Sequence, residues 1–139
     1  MCLANCIRRH RDNPTTCYKV LIQNGKWYQK KKFTAPFRTE FNYVIGETYN
    51  EKPGYYNEFY DRLDFGYFHS FVFLDDAINF AKTFPKCNLE KHSKLVIVEC
   101  EIPKDTVLYV GNFSYYGMDG NKLSYASKSI TIKRIINEK

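Results

Sequence analysis

GYFHSFVFLDDAINFA, residues 66–81, reads as a strand that passes directly into a helix. Tyr67–Phe73 carries aromatic and β-branched side chains on both phases, as a buried strand does. Asp75 has the character of an N-cap, because its carboxylate can accept from the free amides of a first helical turn. Leu74, Ala77, Ile78, Ala81 and Phe84 then recur at helical spacing and form one apolar stripe. Pro85 ends that helix, since the residue before a proline is biased out of the helical region. The run LVIVECEIP at residues 95–103 follows as a central strand, Leu95–Ile102. Alternation puts Glu99 and Glu101 on one of its faces and Val98, Cys100 and Ile102 on the other.

The rest of the chain is read outward from this strand–helix–strand unit. Cys17–Gln23 is a strand, Asn24-Gly25 a hairpin turn that tolerates positive φ, and Lys26–Gln29 the returning strand. Residues 3–11 suit a short helix or a loose basic arm, so residues 1–16 are set apart from a domain spanning 17–139. Phe41–Ile45 is a short strand, and Tyr49–Asp64 is a tyrosine-rich loop with a turn at Pro53-Gly54. Val107–Val110 and Phe113–Tyr116 are short strands separated by Gly111-Asn112. Met118–Asn121 is a turn, and Ser129–Ile136 is the last strand, with Ile130 and Ile132 facing the core. The expected fold class is α+β: a single domain with a bent antiparallel sheet and one dependable helix over residues 75–84. Its expected core includes Phe71, Ile78, Ala81, Val96, Val98 and Ile132.

At 139 residues the chain can bury one core. No apolar run approaches the length of about 18 residues that a membrane span needs. The first ten residues lack the ordered regions of a signal peptide, so the expected location is intracellular, in the cytoplasm of a host cell, or in a virion. Residues 1–43 hold nine Lys and Arg against two Asp and Glu; the remainder holds twelve against thirteen. The net charge of +6 therefore arises in the first third, in Arg8-Arg9-His10-Arg11 and in Lys30, Lys31 and Lys32. Such clusters can meet phosphate or an acidic protein, and are more commonly a solvated arm and a solvated hairpin loop. Trp27, Tyr28 and Phe33 beside the lysines add the aromatic content of a nucleic-acid surface.

Five cysteines, Cys2, Cys6, Cys17, Cys87 and Cys100, form neither a CxxC pair nor an even set, which argues for free thiols. Cys2, Cys6 and His10 recur every fourth residue, but the spacing is loose for zinc and no metal is expected. Glycine-rich phosphate loops and the GxSxG elbow are absent. His69 and Ser70 are candidate binding residues inside the aromatic strand, with a hydrogen-bonded core histidine as the alternative.

The order CYKVL (17–21), FNYVIGETY (41–49), GYFHSF (66–71), VIVECEIPK (96–104) and YASKSITI (125–132) resembles a family of uncharacterised viral, phage and bacterial proteins. Its pattern is a YK strand, a YxxGxxY segment, a GFHxF box and a closing ASxxIxI; Tyr67 is an extra aromatic in this box. The resemblance covers roughly residues 17–136 and implies kinship and fold. A more distant resemblance is to ADP-ribosyltransferases of the arginine-specific group. Residues 68–81 look like their Ser-Thr-Ser strand and following helix, and Tyr18-Lys19 fall where a first-strand Arg is sought. The place of the late Glu-x-Glu reads Ser127-Lys128-Ser129. This resemblance implies a shared architecture without the usual reaction, because no carboxylate is there to support an oxocarbenium-like state.

The sequence thus favours a small non-enzymatic binding or accessory protein of viral or phage type, without a cofactor, acting through macromolecular contacts. Its candidate binding residues are Tyr18, His69, Ser70, Lys30, Lys31 and Lys32. A protein is the favoured partner. The alternatives are a divergent NAD-binding or ADP-ribosyltransferase-like enzyme using Tyr18, His69 and Ser70, and a nucleic-acid binder using the basic first third.

Overall fold

A computed structural model describes residues 3–9, 12–26, 28–35, 38–50, 56–57, 62–63, 67–85, 89, 91–113 and 122–137. The sheet is built from β1 (Leu3–Arg9), β2 (Thr15–Asn24), β3 (Lys32–Ala35), β4 (Arg38–Tyr43) and β5 (Thr48–Asn50). It continues through β6 (Tyr56–Asn57), β7 (Arg62–Leu63), β8 (Phe68–Phe71), β9 (Lys94–Ile102), β10 (Leu108–Phe113), β11 (Lys122–Ser127) and β12 (Ser129–Asn137). Helix α1 (Leu74–Thr83) joins β8 to the segment before β9 and is the one helix among the described residues. These strands form a single antiparallel sheet in the order β5-β12-β9-β2-β8-β11-β10-β1-β7-β6, with β3 on β2 and β4 on β3. The molecule is therefore an α+β domain with one sheet and one helix in its described part.

Strand β2 organises the sheet. Along one edge it pairs with β9 from Thr15↔Ile102 to Gln23↔Lys94 without interruption. Its other edge divides between two strands. Tyr18 pairs with Phe71 of β8, and Ile22–Asn24 pair with Thr34–Lys32 of β3. The sheet forks between these two pairings, and the fork is filled by Leu21, Phe33, Tyr43 and Phe68.

Both faces of the forked sheet are apolar, each for its own reason. On one face Cys17 and Leu21 of β2 pack with Val96, Val98, Cys100 and Ile102 of β9 and with Ile130 and Ile132 of β12. The opposite face carries Val20, Ile97, Phe71, Phe113 and Ala126, covered by Ala77, Phe80 and Phe84 of α1. Beyond the helix that second face turns polar. Glu99 meets Arg134 at 3.2 Å and Glu101 meets Lys133 at 3.5 Å, both from β12. The alternation expected for Leu95–Ile102 is thereby observed, with the two carboxylates half-buried and charge-paired across strands.

The helix departs from its expected start and phase. Phe73 is the N-cap and no side chain caps the helix; Asp75 and Asp76 instead sit inside the first turn, where negative charge meets the helix dipole favourably. Its end is as expected: Phe84 N–H donates to Phe80 O at 2.9 Å just before Pro85. The buried residues are Ala77, Phe80 and Phe84, whereas Leu74, Ile78 and Ala81 are half-buried at the flanks. Phe80 takes the centre because Phe71 and Phe113 offer it aromatic neighbours, with ring centroids 5.7 and 6.0 Å away. Of the expected core, Phe71, Val96, Val98 and Ile132 are buried.

Several elements differ from the sequence reading. Residues 3–9 are neither helix nor arm; β1 pairs with β10 and with β7. The strand returning from Asn24-Gly25 is Lys32–Ala35, and Lys26 and residues 28–31 precede it outside any strand, because Phe33 is the apolar residue that reaches the core. Short strands β5, β6 and β7 lie in the stretch read as loop. Strand β10 runs unbroken through Gly111, and β11, unforeseen, places the small residues Ser124, Ala126 and Ser127 in buried positions between β8 and β10. The expected turns at Pro53-Gly54 and Met118–Asn121 lie outside the described residues. No helix among those described is long and apolar enough to cross a membrane.

Candidate functional site

Two places concentrate polar chemistry, and both belong to β2. The first is the fork. Register would carry the β8 ladder on from Tyr18↔Phe71 to bring Val20 opposite His69, but pairing stops at Tyr18. Lys19 instead donates its ammonium to the His69 carbonyl oxygen at 2.5 Å and lies 5.7 Å from the centre of the Tyr43 ring. A lysine only 7 % exposed is held there by a hydrogen bond and a cation–π contact, as burial of a charge demands.

Cys17, Cys100 and Ser70 surround that ammonium on the same face. Cys17 and Cys100 are directly opposite in the β2–β9 ladder, both buried and both reduced. Ser70, 4 % exposed, neighbours the Cys17 sulfur, and its buried hydroxyl makes no hydrogen bond. Burial raises the Cys17 thiol, but its polar neighbours Cys100 and Ser70 together with the Lys19 charge outweigh it, so its pKa falls below 9.0. Cys100 goes well above 9.0, through burial first and then through the hydrogen bond and charge of Cys17. The pair therefore loses its protons in two separate steps.

Tyr18, His69 and Ser70 do not share one surface. Alternation along β8 sends Phe68 and Ser70 to the Cys17 face and His69 and Phe71 to the helix face. Tyr18, half-buried, packs on the helix face between Phe71 and Glu99, its two register partners. Of the three, Tyr18 and His69 share the helix face, and Ser70 lies on the opposite one beside the thiols.

The second place is the opposite end of β2. Lys32 pairs with Asn24, and Gln23 pairs with Lys94, so β3, β2 and β9 end together. The Ser93 hydroxyl donates to Asn24 Oδ1, which ties the segment before β9 to the hairpin. Gly25, at φ +124, turns the chain where a Cβ would come within 3.1 Å of Lys30 O. The loop then closes on itself: Lys31 Nζ donates to Gly25 O at 2.9 Å and Lys26 O at 3.2 Å, and Lys26 N–H donates to Gln29 Oε1 at 3.0 Å.

Between these segments opens a cleft of about 500 Å³, lined by Gln23, Gly25, Lys26, Lys31, Lys91, His92, Ser93 and Lys94. Among the described residues four lysines line it and no carboxylate does. Lys30 and Lys32 are exposed beside it, and Tyr28, 61 % exposed, stands 5.9 Å from Lys26 Nζ. A concave wall of one sign focuses the field on an incoming anion. Of the lysines singled out in the sequence, Lys31 lines the cleft and Lys30 and Lys32 flank it. Lys91 and Lys94 were missed; the short basic run KHSK at 91–94, immediately before a strong strand, was the available signal. Arg8 and Arg9 lie on β1, separated from β2 in strand order by β8, β11 and β10, so the basic first third is not one surface by pairing. Phe33 is buried and offers no platform. The described residues hold no group of three or more metal-ligating side chains, and the side chains of Cys2, Cys6 and His10 lie outside the described residues. No protein family, curated protein or solved structure matches the chain.

Proposed function

We propose that this protein is a small non-enzymatic binding or accessory protein that takes an anionic surface of another macromolecule, foremost a protein, into its lysine-lined cleft. One observation carries the reading: four lysines and a histidine from segments some sixty residues apart meet in one open concavity, with no carboxylate among the described residues that line it. Neighbouring ammonium groups repel one another, and an acidic partner removes that cost. A nucleic acid is the second reading, favoured by exposed Tyr28 beside Lys26. Kinship with the viral, phage and bacterial family belongs to the same proposal and rests on the motif set. So does an ADP-ribosyltransferase-like frame, supported by the succession of β8 and α1 against β2. Separation of Ser70 from Tyr18 and His69 speaks for a frame without the reaction.

Fluorescence anisotropy with a labelled acidic peptide and a labelled single-stranded oligonucleotide, at two salt concentrations, tests the reading. The peptide is expected to bind and to weaken with salt. The variant combining Lys26→Glu, Lys31→Glu, Lys91→Glu and Lys94→Glu is expected to lose at least tenfold, about 1.4 kcal/mol. Tighter oligonucleotide binding, with a log–log salt slope of about −0.7 per phosphate contact, would replace the protein partner by nucleic acid. Unchanged binding in the charge-reversed variant would refute the cleft, and saturable NAD binding would promote the enzyme.

A further inference from the structure

We propose that Cys17 and Cys100 are a reversible oxidation site, a buried dithiol that closes to a disulfide between β2 and β9 when a peroxide reaches it. The register carries the first step. Directly opposed residues of an antiparallel pair have Cα atoms about 4.5 or 5.5 Å apart, depending on the pair type. Disulfides span about 4.4–6.8 Å between Cα atoms. Either pair type is thus within bridging range, and Cys17↔Cys100 needs no strand movement to close.

Its surroundings carry the second step. Two thiols on an apolar face would ordinarily be inert, because burial disfavours the nucleophilic thiolate. Here β2 also supplies the Lys19 ammonium, and β8 supplies the Ser70 hydroxyl, which neighbours the Cys17 sulfur and makes no hydrogen bond of its own. Lys19, anchored by the His69 carbonyl and Tyr43, and Ser70 are polar groups beside a wall of Leu21, Val96, Val98 and Ile132. Their common neighbour is Cys17, and a negative sulfur is the species that a cation and a hydroxyl donor stabilise. Cys17 is therefore the attacking thiol and Cys100 the resolving one, consistent with the directions of their acidities.

The chemistry balances with one equivalent of hydrogen peroxide. The Cys17 sulfur attacks a peroxide oxygen, the O–O bond breaks, and the departing hydroxide takes a proton to become water. The resulting sulfenic acid is attacked by the Cys100 sulfur; the S–O bond breaks and the oxygen leaves as water with the Cys100 proton. Two thiols and one peroxide give one disulfide and two waters. The site is independent of the lysine cleft, since Cys17 and Gln23 are six residues apart, about 20 Å along an extended strand.

The test uses the full chain and needs no variant. After peroxide treatment the protein is unfolded in N-ethylmaleimide, cut with trypsin and analysed by mass spectrometry. Residues 12–19 and 95–104 are tryptic peptides with one cysteine each. They are expected joined, two hydrogens lighter than their sum, and separated by dithiothreitol. Recovery of both as maleimide adducts, at a dose that oxidises free glutathione, overturns the proposal; so does Cys17 joined mainly to Cys2, Cys6 or Cys87. Cys100→Ser is expected to leave a Cys17 sulfenic acid that dimedone traps, and the absence of that adduct would overturn the assigned order. Lys19→Met should slow closure by about tenfold with an unchanged far-ultraviolet spectrum, while Lys19→Arg keeps the rate near wild type. Equal rates in Lys19→Met and wild type would remove the ammonium from the mechanism.

Discussion

Lys19 shows how a residue can be conspicuous in space and ordinary in sequence. In CYKVL it is one polar residue beside an apolar run, yet it is among the most buried charges described, because the fork brings its ammonium to the His69 carbonyl. Cys17 and Cys100, with Tyr67 on the opposite face, give the molecule a pH signature. Cys100 and Tyr67 both have raised values in the folded state, Cys100 by burial foremost, Tyr67 by burial and then by Tyr109, whose ring it meets edge-on at 5.7 Å. Raised groups contribute stability that is complete below their unfolded values, 9.0 and 10.0, and is lost as pH climbs through the folded ones. Cys17 has the opposite sign: its lowered value adds stability above the folded pKa, complete past 9.0. Two losses against one gain predict a urea midpoint that declines once pH exceeds 10.0. Tyr67→Phe should decline less steeply there than wild type, and an equal slope would show that the tyrosine hydroxyl titrates alike folded and unfolded.

Elements were legible where two periodicities meet. Residues 66–84 pass from strand to helix and stop at Pro85, and residues 95–102 alternate without a break, so β8, α1 and β9 could be read directly from side-chain pattern. Strand β1 could not, because Arg8 and Arg9 hide a short β segment behind the charge of an arm. Strand β11 could not either: LSYAS has small residues on both phases, and only its neighbours β8 and β10 make Ser124 and Ser127 interior. The cleft was half legible for a similar reason. Lys30–Lys32 stand together in the chain, but Lys91 and Lys94 join them only through the β2–β9 register. Within α1 the phase itself is testable. Phe80→Ala, which removes the aromatic centre, should cost about 3–5 kcal/mol, and Val98→Ala about 2 kcal/mol. Ile78→Ala, at the flank, should cost about 1 kcal/mol. Urea denaturation that ranked Ile78 above Phe80 would return the helix to the phase expected from its stripe.

At the scale of the whole molecule, the position of β1 in the sheet decides whether the basic start of the chain is structure or surface. A loose arm can be removed without thermodynamic consequence. Strand β1 instead lies between β10 and β7, pairing Ile7↔Val110, Arg8↔Tyr109 and Arg9↔Leu108 on one side and Leu3↔Leu63 on the other. Deleting residues 1–9 takes away that ladder, leaves β10 as an open edge and detaches β7 with β6. Each lost net hydrogen bond is worth roughly 1 kcal/mol, so a handful of them should lower stability by about 2–4 kcal/mol. The new edge should also promote association, since unpaired strand backbone is a template for another chain. The lysine cleft lies across β8, β11 and β10 in strand order and uses none of the deleted residues. Under conditions where the shortened chain is still folded, its affinity for an acidic peptide should therefore stay within about twofold of wild type, under 0.5 kcal/mol. Urea denaturation and anisotropy on the same preparation separate the outcomes. Unchanged stability would mean that β1 contributes nothing to the fold. Affinity lost at full stability would place Arg8 and Arg9 on the binding surface, and would mean that the bend of the sheet brings its two basic ends to one partner.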